Sequence, residues 1–167
     1  MLKIRFANKD DVQLILKLIK ELSVYEKLED KVVATEETLR EWLFEKKTAE
    51  VLIAELNDGP IGYALFFYNF STFLGRAGIY IEDIYIKEEY RGNGYGINLF
   101  KKIASIAIER GCGRIEWSCL NWNKPSIDFY LSLGAIPMDE WTLYRLEKET
   151  MEKLVYNRSF KKKDLNL

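Results

Sequence analysis

The sequence predicts an α/β chain: one domain on a central mixed β-sheet, with helices flanking it. Three observations carry this. A strand-like run (residues 79–86) leads through a glycine-rich turn into a long helical stripe and a second strand-like run (114–120), the order of a parallel crossover. Asn57, Asp58, Gly59 and Pro60 separate two apolar runs, which marks a hairpin and so antiparallel neighbours. A length of 167 residues, with 48% hydrophobic and 31% charged content, suits one domain with a sizeable core. Both pairing modes in one chain make a mixed sheet.

Residues 2–6 alternate apolar and charged side chains and read as a first strand. Asn8 is suited to cap a helix, with Asp10 and Asp11 in its first turn, where carboxylates meet the positive end of the macrodipole. Val12, Ile15, Ile19 and Leu22 recur at helical spacing, widened by Leu16 and Leu18, so this helix is expected to reach about Tyr25. The charged stretch 26–31 reads as a loop. Thr35 is placed to cap a second helix with Leu39, Trp42 and Leu43 on its apolar face. Residues 50–56 and 61–70 are the hairpin strands; the second carries Tyr63, Phe66, Phe67, Tyr68 and Phe70. Residues 71–78 read as a loop, broken by Gly75 and Gly78. Beyond the glycine turn, Ile97, Phe100, Ile103, Ala104, Ala107 and Ile108 outline one helix face, and Gly111 is a natural stop. Pro125 opens a short helix through Ile127, Phe129, Tyr130 and Leu133, ending at Gly134. Residues 135–138 and 141–146 read as two closing strands and 147–156 as a last helix. A polar tail, 159–167, follows a domain spanning residues 1–158.

Composition excludes several classes. A formal net charge of −1 gives no bulk case for nucleic-acid binding. No apolar run approaches a membrane span, and the opening residues are too few and too charged for a signal peptide; a cytoplasmic protein is expected. The chain has no histidine, which rules out a Ser-His-Asp triad, a Cys-His pair and any His-ligated metal; no metal site is expected. Cys112 and Cys119 read as small buried residues. Acid–base chemistry is left to carboxylates, tyrosine, lysine, thiols or water.

Arg91, Gly92, Asn93, Gly94, Tyr95 and Gly96 lie between strand and helix, where unpaired N–H groups and the helix dipole make an anion site. A P-loop would follow its glycines with Lys and Ser or Thr, but Gly96 is followed by Ile97 and Asn98. The dinucleotide fingerprint needs a glycine where Ile97 stands. The pattern Arg-x-x-Gly-x-Gly instead resembles the acetyl-coenzyme A pyrophosphate loop of the GNAT N-acetyltransferases. Glu82 and Asp83 before it, Asn123, Pro125, Ser126 and Tyr130 after it, and Tyr25 and Glu26 near the first helix's end resemble the spermidine/spermine N-acetyltransferase branch.

The resemblance implies a GNAT-like domain with acetyl-coenzyme A as cofactor. Arg91, Gly92, Asn93, Gly94, Tyr95, Gly96 and Ile97 would hold its pyrophosphate. Backbone groups of Ile84, Tyr85 and Ile86 would bind the acetyl and pantetheine amides, with Asn123 and Ser126 on the far side of the arm. Tyr130 would be the acid near the cofactor sulfur. Glu82 is the candidate base, in a strand whose alternation it breaks; burial there would move its pKa towards neutrality. A structural ion pair is the other reading of Glu82, and Asp83 is a second candidate base. Tyr25, Glu26, Glu82 and Asp83 would meet the amine. The expected activity is acetyl transfer to a small polyamine, diamine or lysine-like amine, by a homodimer with no nucleic-acid or membrane partner. Acetylation of a protein or peptide, and non-catalytic acyl-coenzyme A binding, are the alternatives.

Overall fold

A computed structural model describes residues 1–57 and 59–156. The chain divides into two compact units, Met1–Leu120 and Asn121–Leu167. The first holds a five-stranded sheet in the order β1 (Lys3–Phe6), β2 (Glu50–Leu56), β3 (Gly59–Ser71), β4 (Arg76–Ile86) and β5 (Ile115–Trp117). The first three pairings are antiparallel and the last, β4 with β5, is parallel. The sheet is therefore mixed, as the hairpin and crossover signals require, and helices flank it.

Each face buries its own cluster. Leu52, Ala54, Ala64, Phe66, Ile79, Ile81 and Ile86 pack with Leu99, Ile103, Ile106 and Ala107 of α3 (Tyr95–Glu109). On the other face Ile53, Tyr63 and Tyr85 meet Ile15, Leu18 and Leu22 of α1 (Val12–Glu26), together with Leu43. The stripe on α3 is rotated from the expected one: Leu99 is fully buried, whereas Ile108 is 79% exposed.

Local chemistry sets the helix starts. Asn8 caps a 3-10 turn, Lys9–Asp11, that leads into α1; its side chain accepts from Asp10 N–H at 2.8 Å, and Asp11 Oδ2 accepts from Asn8 N–H at 2.8 Å. Arg5 clamps this start to the sheet, donating from Nη1 and Nη2 to Asp11 at 2.7 and 2.8 Å and from Nε to Glu55 at 2.8 Å. Thr35 caps α2 (Glu36–Leu39), which continues as a π-helical turn, Arg40–Glu45, closed by Lys46 N–H on Glu41 C=O at 2.8 Å. That turn buries Leu43 and leaves Trp42 half exposed under the Lys46 ammonium.

Four expectations need correction. The loop expected over 71–78 is mostly strand, because β3 runs to Ser71 and β4 starts at Arg76. Gly78 is not a breaker: a Cβ there would lie 2.5 Å from Asn69 Oδ1 and 3.2 Å from Arg114 backbone oxygen, so it is a close-approach strand glycine. The strand expected over 114–120 shortens to β5. The two closing strands are not formed. In the second unit α4 (Lys124–Ser132) and α5 (Lys148–Tyr156) match expectation, but no strand lies between them among the described residues. Alternation marks a strand only where a ladder partner is at hand, and Trp141 (73%), Leu143 and Tyr144 are exposed. Cys112 and Cys119 are half-buried rather than buried. The tail 159–167 and Asp58 of the hairpin turn lie outside the described residues. No helix among the described residues is long and apolar enough to cross a membrane.

Candidate active site

The site in the first unit begins with an irregularity of β4. Leu65 pairs with Asp83 and Phe66 with Ile81, so Glu82 has no partner on β3. This is a β-bulge. It keeps Ile79, Ile81, Ile84 and Ile86 on the α3 face although 81 and 84 are an odd number apart. Asp83 and Tyr85 turn to the α1 face with Tyr63. The bulge also corrects the sequence reading. Glu82 is exposed, and the half-buried carboxylate is Asp83. Burial, and secondarily the Glu82 charge, push the Asp83 carboxyl up, against a hydrogen bond from Tyr63 that lowers it. Glu26, half-buried on the last turn of α1, is also raised, by burial and then by the Asp83 charge. None of the ion pairs among the described residues includes Glu26, Glu82 or Asp83.

Beside the bulge the parallel ladder stops. β5 pairs with Ile79, Tyr80 and Ile81 only, while β4 runs on to Ile86. Lys87 N–H donates to Ile61 C=O on the β3 side at 2.9 Å. Since backbone groups alternate sides along a strand, Tyr85 also faces β3, and Ile84 and Ile86 face the edge that β5 leaves open. Of the three residues expected to offer amides, two therefore point there.

The glycine loop follows. Gly92 and Gly94 have φ of 79° and 78°, which other L-residues adopt only with strain. Gly94 is the N-cap of α3 and no side chain caps that end; the N–H groups of Tyr95, Gly96 and Ile97 precede the first intrahelical bond, Asn98 N–H to Gly94 C=O at 3.2 Å. Gly96 is helical, and a Cβ on it would meet nothing within 4 Å. Folding gives no reason for a glycine in this first turn; a bound anion approaching the backbone does. The residues present thus fit the pyrophosphate of acetyl-coenzyme A. Arg91 and Asn93 serve the loop itself. Arg91 Nε donates to Ile86 C=O at 2.8 Å, and its guanidinium lies 4.2 Å from the Tyr25 ring centroid and 5.6 Å from that of Tyr85. Asn93 Nδ2 donates to Tyr90 and Arg91 carbonyls at 3.2 and 3.1 Å.

In the second unit, Asn123 caps α4 through its Oδ1, which accepts from Ser126 N–H at 3.3 Å. Lys124 pairs with Asp128 one turn on, and Tyr130 sits with its ring centroid 5.4 Å from that of Phe129. Sequence reading brings out Asn123, Ser126 and Tyr130 but misses Tyr63, a tyrosine on the apolar side of a strand and so indistinguishable there from a core aromatic. Its hydroxyl donates to Asp83 Oδ2 at 2.8 Å.

Residues 15–135 match the Acetyltransferase (GNAT) family. The chain is 42% identical over 163 residues to the thialysine N-epsilon-acetyltransferase of Bos taurus, covering 90% of this chain and 95% of that protein. It is 31% identical over 196 residues to the L-ornithine N5-acetyltransferase of Arabidopsis thaliana, covering 90% and 86%. Among solved structures, an integron cassette protein from V. cholerae superposes with a TM-score of 0.78 at 28% identity, over 93% of this chain and 98% of that one.

Proposed function

Since the chain belongs to the GNAT family of acetyl-coenzyme A-dependent N-acetyltransferases, we propose that its acceptor is a small amine with a second basic group: a diamine, a polyamine or a lysine-like amino acid. One observation carries this reading. Three carboxylates, Glu26, Glu82 and Asp83, gather at the β4 bulge with no basic side chain paired to them among the described residues. Carboxylates so placed favour a dication over a neutral or singly charged acceptor. The names of the relatives agree, since thialysine and ornithine each carry more than one amine.

When bound, acetyl-coenzyme A supplies an acetyl group activated as a thioester. The N–H groups of Tyr95, Gly96 and Ile97 at the start of α3 hold the pyrophosphate, and the backbone edge of Ile84 and Ile86 orients the amide-bearing arm. For Asn123 and Ser126 the reading keeps the role that the resemblance implies, hydrogen bonds to the pantetheine arm. Glu82 takes the proton of the acceptor ammonium, directly or through water, so that a neutral nitrogen attacks; Tyr130 Oη is the proton donor. Tyr25 and Glu26 line the acceptor's path. A cytoplasmic setting is expected from the sequence and a homodimer from the family resemblance; subcellular fractionation and light scattering test the two in turn.

The deciding experiment is a thiol-release assay with acetyl-coenzyme A and a panel of lysine, ornithine, spermidine, a monoamine and a peptide with a free N-terminus. The reading expects release with the dibasic acceptors first. Release with the peptide and with none of the dibasic amines would overturn it.

A further inference from the structure

Tyr63 lies mid-strand in β3 with no exposure to solvent. It stands opposite Tyr85, and its hydroxyl reaches the diagonal neighbour Asp83 at 2.8 Å. That contact exists because the bulge at Glu82 turns Asp83 onto the α1 face. Packing does not call for it. Phenylalanine would fill the same space, so what the hydroxyl adds is its hydrogen bond to Asp83. Asp83 is surrounded by Tyr63 on β3, Glu82 and Tyr85 on β4 and Glu26 at the end of α1, with the Arg91 guanidinium stacked on Tyr25 and Tyr85 and Cys119 within reach of the Glu26 charge. Left to itself among other acids, such a carboxylate would protonate or turn away. A hydroxyl that donates to one oxygen favours the ionised form and fixes its direction.

We propose that Tyr63 sets the charge selectivity of the acceptor site: by holding Asp83 Oδ2 it keeps Asp83 available, beside Glu26 and Glu82, for the second positive charge of the acceptor. Tyr63 is a positioning residue that acts through Asp83. The inference rests on the basic-amine reading above.

The test compares cadaverine with pentylamine, acceptors of equal length that differ by one charge, in the thiol-release assay on the full chain. Wild type is expected to favour cadaverine. Tyr63→Phe, which removes one oxygen, should lower kcat/KM for cadaverine about tenfold, chiefly through KM, and leave pentylamine within about twofold. Asp83→Asn, which keeps an acceptor for the hydroxyl but drops the charge, should lose the same selectivity, and Tyr63→Phe added to it should change nothing more. Equal losses for both amines, an unchanged ratio, or a further loss in the double variant would overturn the proposal. If Tyr63→Phe failed to fold, Asp83→Asn alone would still decide whether the charge at 83 sets the ratio, and an unchanged ratio there would be fatal. Wild type that acetylates neither cadaverine nor any dibasic acceptor of the panel above would overturn the acceptor reading and the inference with it, whereas unchanged selectivity in the variants overturns the inference alone.

Discussion

The carboxyls of two aspartates are shifted in opposite directions. Asp11 is held below its ordinary range, first by the hydrogen bonds from Arg5, with burial opposing and the Asn8 N–H assisting. Its contribution is present above the usual carboxylate range and is lost as pH falls through its lowered folded value. Asp11→Asn should therefore cost about 2 kcal/mol at neutral pH and nothing in strong acid, read from denaturant melts at the two pH values. Asp83 is raised by burial, so ionising it burdens the folded state: stability is full below the ordinary carboxylate range and declines as pH rises through the raised folded value. Asp83→Asn should melt higher than wild type at neutral pH, with the gap closing in acid; an equal or lower melt would show that burial does not dominate there. For the chemistry, Tyr130→Phe should slow turnover about a hundredfold while acetyl-coenzyme A binding stays within about twofold. Glu82→Gln should depress activity most at low pH, where the acceptor is fully charged, and a rate profile parallel to wild type would remove Glu82 as the base.

At the level of elements, the glycine loop and the helix behind it separate stability from binding. Gly96 has ordinary helical φ and open space where a Cβ would stand. Gly96→Ala should thus stabilise the fold by about 1 kcal/mol and weaken coenzyme A binding at least about tenfold, measured by calorimetry beside a thermal melt. Strand–turn–helix order made this loop legible in the sequence, as turn chemistry did for the β2–β3 hairpin, capping residues did for α1 and α2, and Pro125 did for α4. What stayed hidden depends on register. The break in alternation at Glu82 is visible in β4, but which carboxylate the bulge turns inward is not, since that is defined by which residues of β3 stand opposite. Tyr63 and Asp83 are twenty positions apart, and only that pairing joins them. For residues 135–138 and 141–146 the pattern was present but its ladder partner was not, and alternation by itself does not make a strand.

Across the molecule, topology does what no single motif could. Antiparallel order makes β4 the fourth of the five strands, the parallel crossover through α3 places β5 beside only its first half, and the second half is left with an open edge and an uncapped helix beyond it. The absence of histidine, legible from composition, is consistent with a reaction run on carboxylate and phenol. The bulge has one further consequence. Leu65 and Phe66 are adjacent on β3 and face Asp83 and Ile81, so Glu82 is supernumerary to the sheet. A variant lacking residue 82 would join Ile81 directly to Asp83, close the ladder without a break, and leave every other side chain of β4 on its present face. It should fold at least as well as wild type and be catalytically silent: a residue that the scaffold can lose without notice and the reaction cannot.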